Sequence, residues 1–181
     1  LTDAYHGDTV GAMSVSDDSI FTRAFSSLLF PVTRVQGADM ERTLGALADT
    51  AAAVIIEPML QGAGGMIMWP AHFVAEVRRL CDRFGVLMIA DEVLTGFGRT
   101  GRMFACEHAR VSPDIICLSK ALTAGYLPLG ATVTTDAVYQ AFLSDDRSRT
   151  FFHGHSFTAN PLACAVALAS LDLFETDHTL D

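Results

Sequence analysis

Apolar residues along this chain fall into one clear helical repeat and several short unbroken runs. Between residues 71 and 84, Phe73, Val74, Val77, Leu80, Cys81 and Phe84 recur at i, i+3, i+4 spacing, which predicts an amphipathic helix closed by Gly85. The runs Ala53–Ile56, Val86–Ala90, Asp114–Leu118 and Gly130–Thr134 are too short for helices and are bounded by polar or turn residues, so they predict strands. Their continuity predicts burial on both faces, the habit of parallel sheets. Further helices are predicted over residues 8–15, opening at Asp8, and from Asp39 as N-cap to about Thr50. Another follows Thr135 to near Leu143, and a last one runs from Leu162 to Glu175, where Asn160-Pro161 supplies a cap and a proline at the first helical position. Between the first two strands, Gln61–Gly65 reads as a glycine-rich loop. Strands alternating with helices predict an α/β fold with a mainly parallel sheet.

Composition narrows the function more than the fold. With 181 residues, half of them apolar and 18% charged, the chain suffices for one domain with its own core. A net charge of -9 without any Lys/Arg cluster argues against nucleic acid as a partner. The mean hydropathy of +0.33 is high, yet no run reaches the ~18 apolar residues of a membrane span. The first ten residues include two Asp and a His, which is no signal peptide, so a cytoplasmic protein is expected. Cys81, Cys106, Cys117 and Cys164 have no paired short spacing and read as reduced core thiols. The chain begins at Leu1 rather than Met, and those first residues look like the interior of something longer, so a fragment is expected.

In parallel α/β sheets, ligands sit beyond the carboxyl ends of the strands. The groups to weigh there are Glu57, Asp91, Glu92, Lys120 and the loop 151–157. Lys120 is the single lysine against eleven arginines. Placed after an apolar strand it would be partly desolvated, which frees an amine for Schiff-base chemistry; taken alone it reads first as a solvated surface lysine. Asp91 would project into the same crevice, either as an acidic partner for a cofactor ring nitrogen or as a turn cap. Tyr5-His6-Gly7 offers an aromatic that can stack on a flat ring, or a turn packed on the core. Phe97–Gly101 and Gly62–Gly65 lack the spacing of nucleotide-phosphate loops. His153-Gly154-His155 and Cys106 with His108 lack the second pair a tetrahedral metal site needs, so no metal is expected.

Taken together these stretches resemble the class III aminotransferases of pyridoxal-phosphate (PLP) fold type I. The matching segments are Tyr5–Thr9, Glu57-Pro58, Gln61-Gly62, Ile89–Val93, Thr95–Gly101, Pro113-Asp114, Ser119–Leu122 and Gly125–Gly130. Within the family, Gly11–Ser14, Phe104–His108, Phe152–Ser156 and Asn160–Cys164 look most like its biotin-pathway branch. The resemblance implies PLP as cofactor, with Lys120 as the catalytic lysine that carries it. Asp91 matches the partner of the ring nitrogen, Val93 and Tyr5 the residues on the two ring faces, with His6 and Gly7 beside them. Glu57 matches an acidic residue near the cofactor and substrate gate. His155 and Ser156 match a loop reaching the cofactor phosphate of a neighbouring subunit, so a homodimer with shared sites is implied, and Tyr5 and Gly154 border the substrate. Leu94 departs from the glutamine many relatives carry, which mildly favours the biotin-pathway branch.

That branch implies transamination of 8-amino-7-oxononanoate to 7,8-diaminononanoate, with S-adenosylmethionine as amino donor and lysine as donor in some relatives. A different omega-amine substrate and an inactive truncated remnant are the alternatives. The resemblance also implies that residues 1–181 are part of a cofactor-binding large domain. A Gly-Ser phosphate turn, N-terminal pocket aromatics and a C-terminal small domain with a carboxylate-binding Arg would lie outside them.

Overall fold

The computed structural model describes residues 1–47 and 49–181. A four-stranded sheet organises it, in the spatial order β1 (Ala53–Ile56), β4 (Leu87–Asp91), β5 (Ile115–Leu118), β6 (Ala131–Thr134). β1, β4 and β5 are parallel, with Ile55 opposite Ile89 and Asp91 opposite Cys117; β6 returns antiparallel, with Leu118 opposite Ala131. The predicted mainly parallel α/β fold is therefore observed, with one antiparallel edge strand. A small separate hairpin, β2 (Leu60–Gln61) with β3 (Ile67–Met68), interrupts the first crossover.

The helices follow the apolar pattern closely where that pattern packs. α3 spans Ala71–Phe84 as predicted, burying Val74, Val77, Leu80 and Cys81. Gly85 adopts φ +66°, and the Val86 N–H bonds the Cys81 carbonyl, so the chain turns at once into β4. α6 spans Pro161–Thr176, with the Asn160 side chain accepting from the Leu162 and Ala163 N–H groups. Three helices are shorter than predicted. α1 is Val10–Val15, capped by Thr9 rather than opened by Asp8. α2 is Met40–Leu47, because Asp39 sits in a preceding 3₁₀ turn and bonds Arg42; the predicted extension crosses Ala48, outside the described residues, and Asp49-Thr50 is a turn. α5 (Asp136–Gln140) stops short of Leu143 because Phe142 and Leu143 stay exposed, and a short helix gains its stability from packing. A further single turn, α4, spans Cys106–Ala109.

Two apolar clusters hold these elements. α2 and α3 bring Met40, Leu44, Val74, Val77 and Leu80 onto Ile56, Met88 and Ala90 of the sheet. Phe97, Leu118, Leu122 and Ala167 form the second, with Phe97 edge-on to Phe104 at 5.8 Å between ring centroids. Burial on both faces does not hold throughout: Thr132, Val133 and Thr134 of β6 are exposed, because an edge strand with one neighbour has less to cover it. Arg78 of α3 reaches Asp114 at 2.6 Å, and Asp114 also accepts from the Met88 N–H, tying α3, β4 and the start of β5 at the end opposite the strand termini described next. All four cysteines are free thiols, with Cys81 and Cys106 buried. No described helix is long and apolar enough to cross a membrane.

Candidate active site

Three parallel strands end on the same edge with Glu57 after β1, Asp91 closing β4 and Ser119-Lys120 after β5. Asp91 is buried, and both its oxygens are engaged. Oδ1 accepts from the Val93 N–H at 3.1 Å, and Oδ2 lies 2.7 Å from His6 Nδ1. His6 belongs to residues 2–7, which form no strand or helix and are held by backbone bonds to Val35 and Asp17 and by several side chains from elsewhere. Buried Gln61 donates from Nε2 to the Thr2 carbonyl while its Oε1 accepts from the Trp69 indole N–H. Ser16 Oγ accepts from the His6 backbone N–H. Glu57 spends its two oxygens on the backbone N–H groups of Tyr5 and Gly62, each at 2.9 Å. Its carboxylate is thus a bracket that fixes where Tyr5 stands, and it faces backbone rather than open space.

The glycine-rich loop is the turn of the β2–β3 hairpin, and its lack of side chains is a packing need. A Cβ on Gly64 would lie 1.6 Å from the Asp3 carbonyl oxygen, and one on Gly62 would lie 2.4 Å from a Leu94 methyl. Leu94 therefore covers Gly62 with an apolar side chain beside the Glu57 bracket. Tyr5 points its hydroxyl to Asp8 at 2.7 Å; that hydrogen bond, with a smaller contribution from burial, holds the phenol proton above its usual range. Beside Tyr5 lies a cleft of about 270 Å³ lined by Ala4, Asp18, Phe21, Gly64 and Gly65 among others. A larger cavity of about 480 Å³ lies away from the strand ends, between residues 30–35, α2 and β1.

Lys120 departs from one expectation. It is exposed rather than partly desolvated, because the 3₁₀ turn it opens (Lys120–Thr123) buries Leu122 and Thr123 instead and leaves the first residue facing solvent. Its backbone is constrained: φ is +43°, a left-handed value that costs a non-glycine residue about 1–3 kcal/mol and persists only where its surroundings impose it. Ser119 Oγ, donating to the Leu129 carbonyl at 2.7 Å, is one such restraint. Next to Asp91, Glu92 is fully buried and accepts from the Thr95 hydroxyl and the Ala105 and Cys106 N–H groups, so it braces the loop 93–105.

The structure thus brings Tyr5, His6, Glu57, Asp91 and Val93 together through direct hydrogen bonds or chain adjacency, with Lys120 on the neighbouring strand end. Gly7 follows at φ +124°, a value side chains rarely adopt. Gly154, His155 and Ser156 lie on an exposed loop with internal hydrogen bonds, such as His155 N–H to Thr158, and among the described residues no hydrogen bond joins them to Asp91. Residue-level reading did not single out Ser16, and it met Gln61 only as part of a loop and a matching stretch. Nothing in their local pattern marks a polar side chain that will be buried against a distant backbone.

An acid, an amine and an aromatic at the carboxyl ends of adjoining parallel strands define a small-molecule site of the cofactor-carrying α/β type. The whole chain, residues 1–181, matches the aminotransferase class-III family, and the protein belongs to it. The adenosylmethionine-8-amino-7-oxononanoate aminotransferase of Geobacter sulfurreducens is 51% identical, aligned over 99% of this chain and 45% of its own length. The crystal structure of the enzyme of that name from Methanocaldococcus jannaschii superposes with a TM-score of 0.93 at 41% identity, covering 99% of this chain and 44% of that one. An amine transaminase from an uncultivated Pseudomonas species, solved in its PLP-bound form, gives 0.87 at 37% identity over 98% of this chain and 45% of its own. The chain therefore spans less than half the length of these relatives.

Proposed function

We propose that the protein is a PLP-dependent aminotransferase of biotin synthesis, passing an amino group from S-adenosylmethionine to 8-amino-7-oxononanoate to give 7,8-diaminononanoate. The observation that carries this is the buried, doubly hydrogen-bonded Asp91 at one strand end beside the single lysine of the chain at the next. These groups fit PLP. A carboxylate, a primary amine and an aromatic ring are what its ring nitrogen, aldehyde and ring face require, and the buried His6 Nε2, which has no partner among the described residues, leaves the polar site open to a further group. When bound, PLP supplies an aldehyde that takes up amines and a ring that draws electrons from the adjoining carbon.

The residues divide that work. Lys120 Nζ anchors the cofactor and moves the proton taken from the amino-bearing carbon of the substrate. Asp91 holds the proton at the ring nitrogen, while Tyr5 and Val93 flank the ring, with Gly7 leaving room beside it. Glu57 keeps Tyr5 in place through its backbone N–H, and Leu94 supplies an apolar wall where a glutamine would have hydrogen-bonded. We assign residues 1–181 to part of the cofactor-binding large domain. We place Gly154, His155 and Ser156 at the active site of a second subunit in a homodimer; their exposure and lack of contact with Asp91 support that placement.

The test is an assay of the protein with PLP and both substrates, alongside borohydride reduction and peptide mapping. The expected outcome is diamine formation and a pyridoxyl mass fixed on Lys120, both abolished by Lys120→Ala. Normal turnover of some other amine without the diamine would refute the substrate, and no pyridoxyl mass on Lys120 would refute the cofactor chemistry.

A further inference from the structure

Beyond the last rung of the β5–β6 pairing, Leu118 opposite Ala131, the two strands part, and residues 119–130 form the loop that carries Lys120. Two side chains hold the sides of that loop together. Ser119 Oγ donates to the Leu129 carbonyl at 2.7 Å just above the rung, and buried Thr123 donates from its hydroxyl to the Leu127 carbonyl nearer the tip. The Leu122 N–H reaches back to the Ser119 carbonyl, so the backbone folds over at Lys120 itself. Lys120, Ala124 and Gly125 adopt left-handed φ values of +43°, +50° and +81°.

The amine of Lys120 has little but its own backbone to aim it. The side chain is exposed, and no hydrogen bond or ion pair among the described residues restrains it. A lysine stem is flexible along its length, so the region its amine sweeps is set by the direction in which the stem leaves the chain. That direction follows from the backbone angles, and φ here is a value that a non-glycine residue keeps only when its surroundings hold it.

We infer that Ser119 is a positioning residue for Lys120: its hydroxyl, closed on the Leu129 carbonyl, holds the left-handed backbone that aims the amine at the aldehyde of the cofactor. The inference rests on the PLP reading of the site. Attachment joins Nζ to the aldehyde carbon, and the two amine protons leave with the aldehyde oxygen as water. Only molecules whose lysine is correctly aimed can make that bond. With the Ser119 staple gone, the left-handed state becomes the minor one, and about 5–150-fold fewer molecules present the amine.

The hydroxyl can be separated from the bulk around it. Ser119 has φ −166°, an extended backbone that accepts β-branched residues. Threonine keeps the donor there, and valine keeps the shape of threonine without it. The PLP-free protein is mixed with PLP, and the rate of pyridoxyl mass fixed on Lys120 by borohydride is measured for wild type, Ser119→Thr, Ser119→Val and Ser119→Ala. Affinity for pyridoxamine phosphate is measured alongside, because that compound carries an amine in place of the aldehyde and occupies the site without bonding Lys120. We expect Ser119→Thr to attach PLP at the wild-type rate and Ser119→Val and Ser119→Ala to be slower by about 5–150-fold, with pyridoxamine phosphate affinity unchanged within about 3-fold.

If Ser119→Ala does not fold, the Thr/Val pair decides. Wild-type attachment in Ser119→Val, or a Ser119→Thr protein as slow as Ser119→Val, would overturn the inference while leaving the PLP reading intact. Pyridoxamine phosphate affinity that falls in step with the attachment rate would overturn it too, since the hydroxyl would then support the whole site rather than the aim of one amine. A wild-type protein that carries no pyridoxyl group on Lys120 would overturn the reading beneath it.

Discussion

Replacing Gly64 with alanine drives a methyl group into the backbone of Asp3. The added Cβ would sit 1.6 Å from the Asp3 carbonyl oxygen and 2.7 Å from its carbon, and neither is a flexible side-chain end. To reach the 3.4 Å at which ordinary contact begins, the hairpin turn and residues 2–4 must part by about 1.8 Å. The sheet core cannot yield, so residues 2–7 must lift. Lifting them stretches the Gln61–Thr2, Glu57–Tyr5 and Ser16–His6 hydrogen bonds together. Overpacking of this kind costs about 1–3 kcal/mol, and loss of a hydrogen bond to an ionised acceptor such as Glu57 adds about 1.5–3 kcal/mol. A total of about 2.5–6 kcal/mol is therefore expected in urea unfolding. Displacing Tyr5 and His6 by an ångström or more should lower kcat/KM by about 10²-fold. Gly11→Ala is the control: it has open space around the added carbon, lies within α1, and should gain up to about 1 kcal/mol. A Gly64→Ala protein with wild-type urea midpoint and wild-type PLP affinity would refute the idea that this close approach docks the cofactor-facing segment.

Three further outcomes are expected. Glu92→Ala strands the Thr95 hydroxyl and two N–H groups in the core, and should lower unfolding stability by about 3–5 kcal/mol; a loss under 1 kcal/mol would show that the loop does not depend on that brace. Burial raises Asp114, the largest single influence, but the Arg78 hydrogen bond and charge with the Met88 N–H outweigh it and leave the carboxyl below its ordinary range. The ion pair's contribution is then present above the ordinary carboxylate pKa and is lost as pH falls through the depressed native value, so Asp114→Asn should flatten the acid limb of a stability–pH curve; an unchanged limb contradicts it. Burial also pushes the Cys81 thiol up to about 11, despite an opposing pull from Arg78, and pushes Cys106 higher still. Both should resist iodoacetamide at pH 8 in the folded protein and react in urea, as peptide mapping would show; rapid native labelling would argue against a closed core there.

Much of the fold was legible because its strands and α3 carry their pattern locally. Val74, Val77 and Leu80 repeat on one helical face and Gly85 supplies the left-handed stop, so the boundaries of α3 followed from residues within it. The strand ends then located Glu57, Asp91 and Lys120. What stayed hidden depended on partners far along the chain. The β2–β3 hairpin has two residues per strand, too few for an alternation to register. The exposure of Lys120 goes with the burial of Leu122 in a cluster with Ala167, some 45 residues later, and its left-handed backbone has no local sequence signal. Glu57 reads as a candidate acid from its place after β1, yet its oxygens are taken by the amides of Tyr5 and Gly62, which only the assembled structure reveals.

The way residues 2–7 are held has a consequence for the order in which the molecule assembles. Three of their anchors close loops of 59, 52 and 85 residues, to Gln61, Glu57 and Asp91, whereas only Gly85 and Val86 separate α3 from β4. Long closures carry an entropic cost that is repaid only when the receiving surface already exists. The sheet and α3 therefore form a platform first, and the Tyr5–His6 strip lands on it last. Its amides should exchange with solvent deuterium through local detachment while those of β4 await global unfolding. Any ligand that grips Tyr5 or Asp91 slows that detachment, so occupancy of the site and completion of folding become one event.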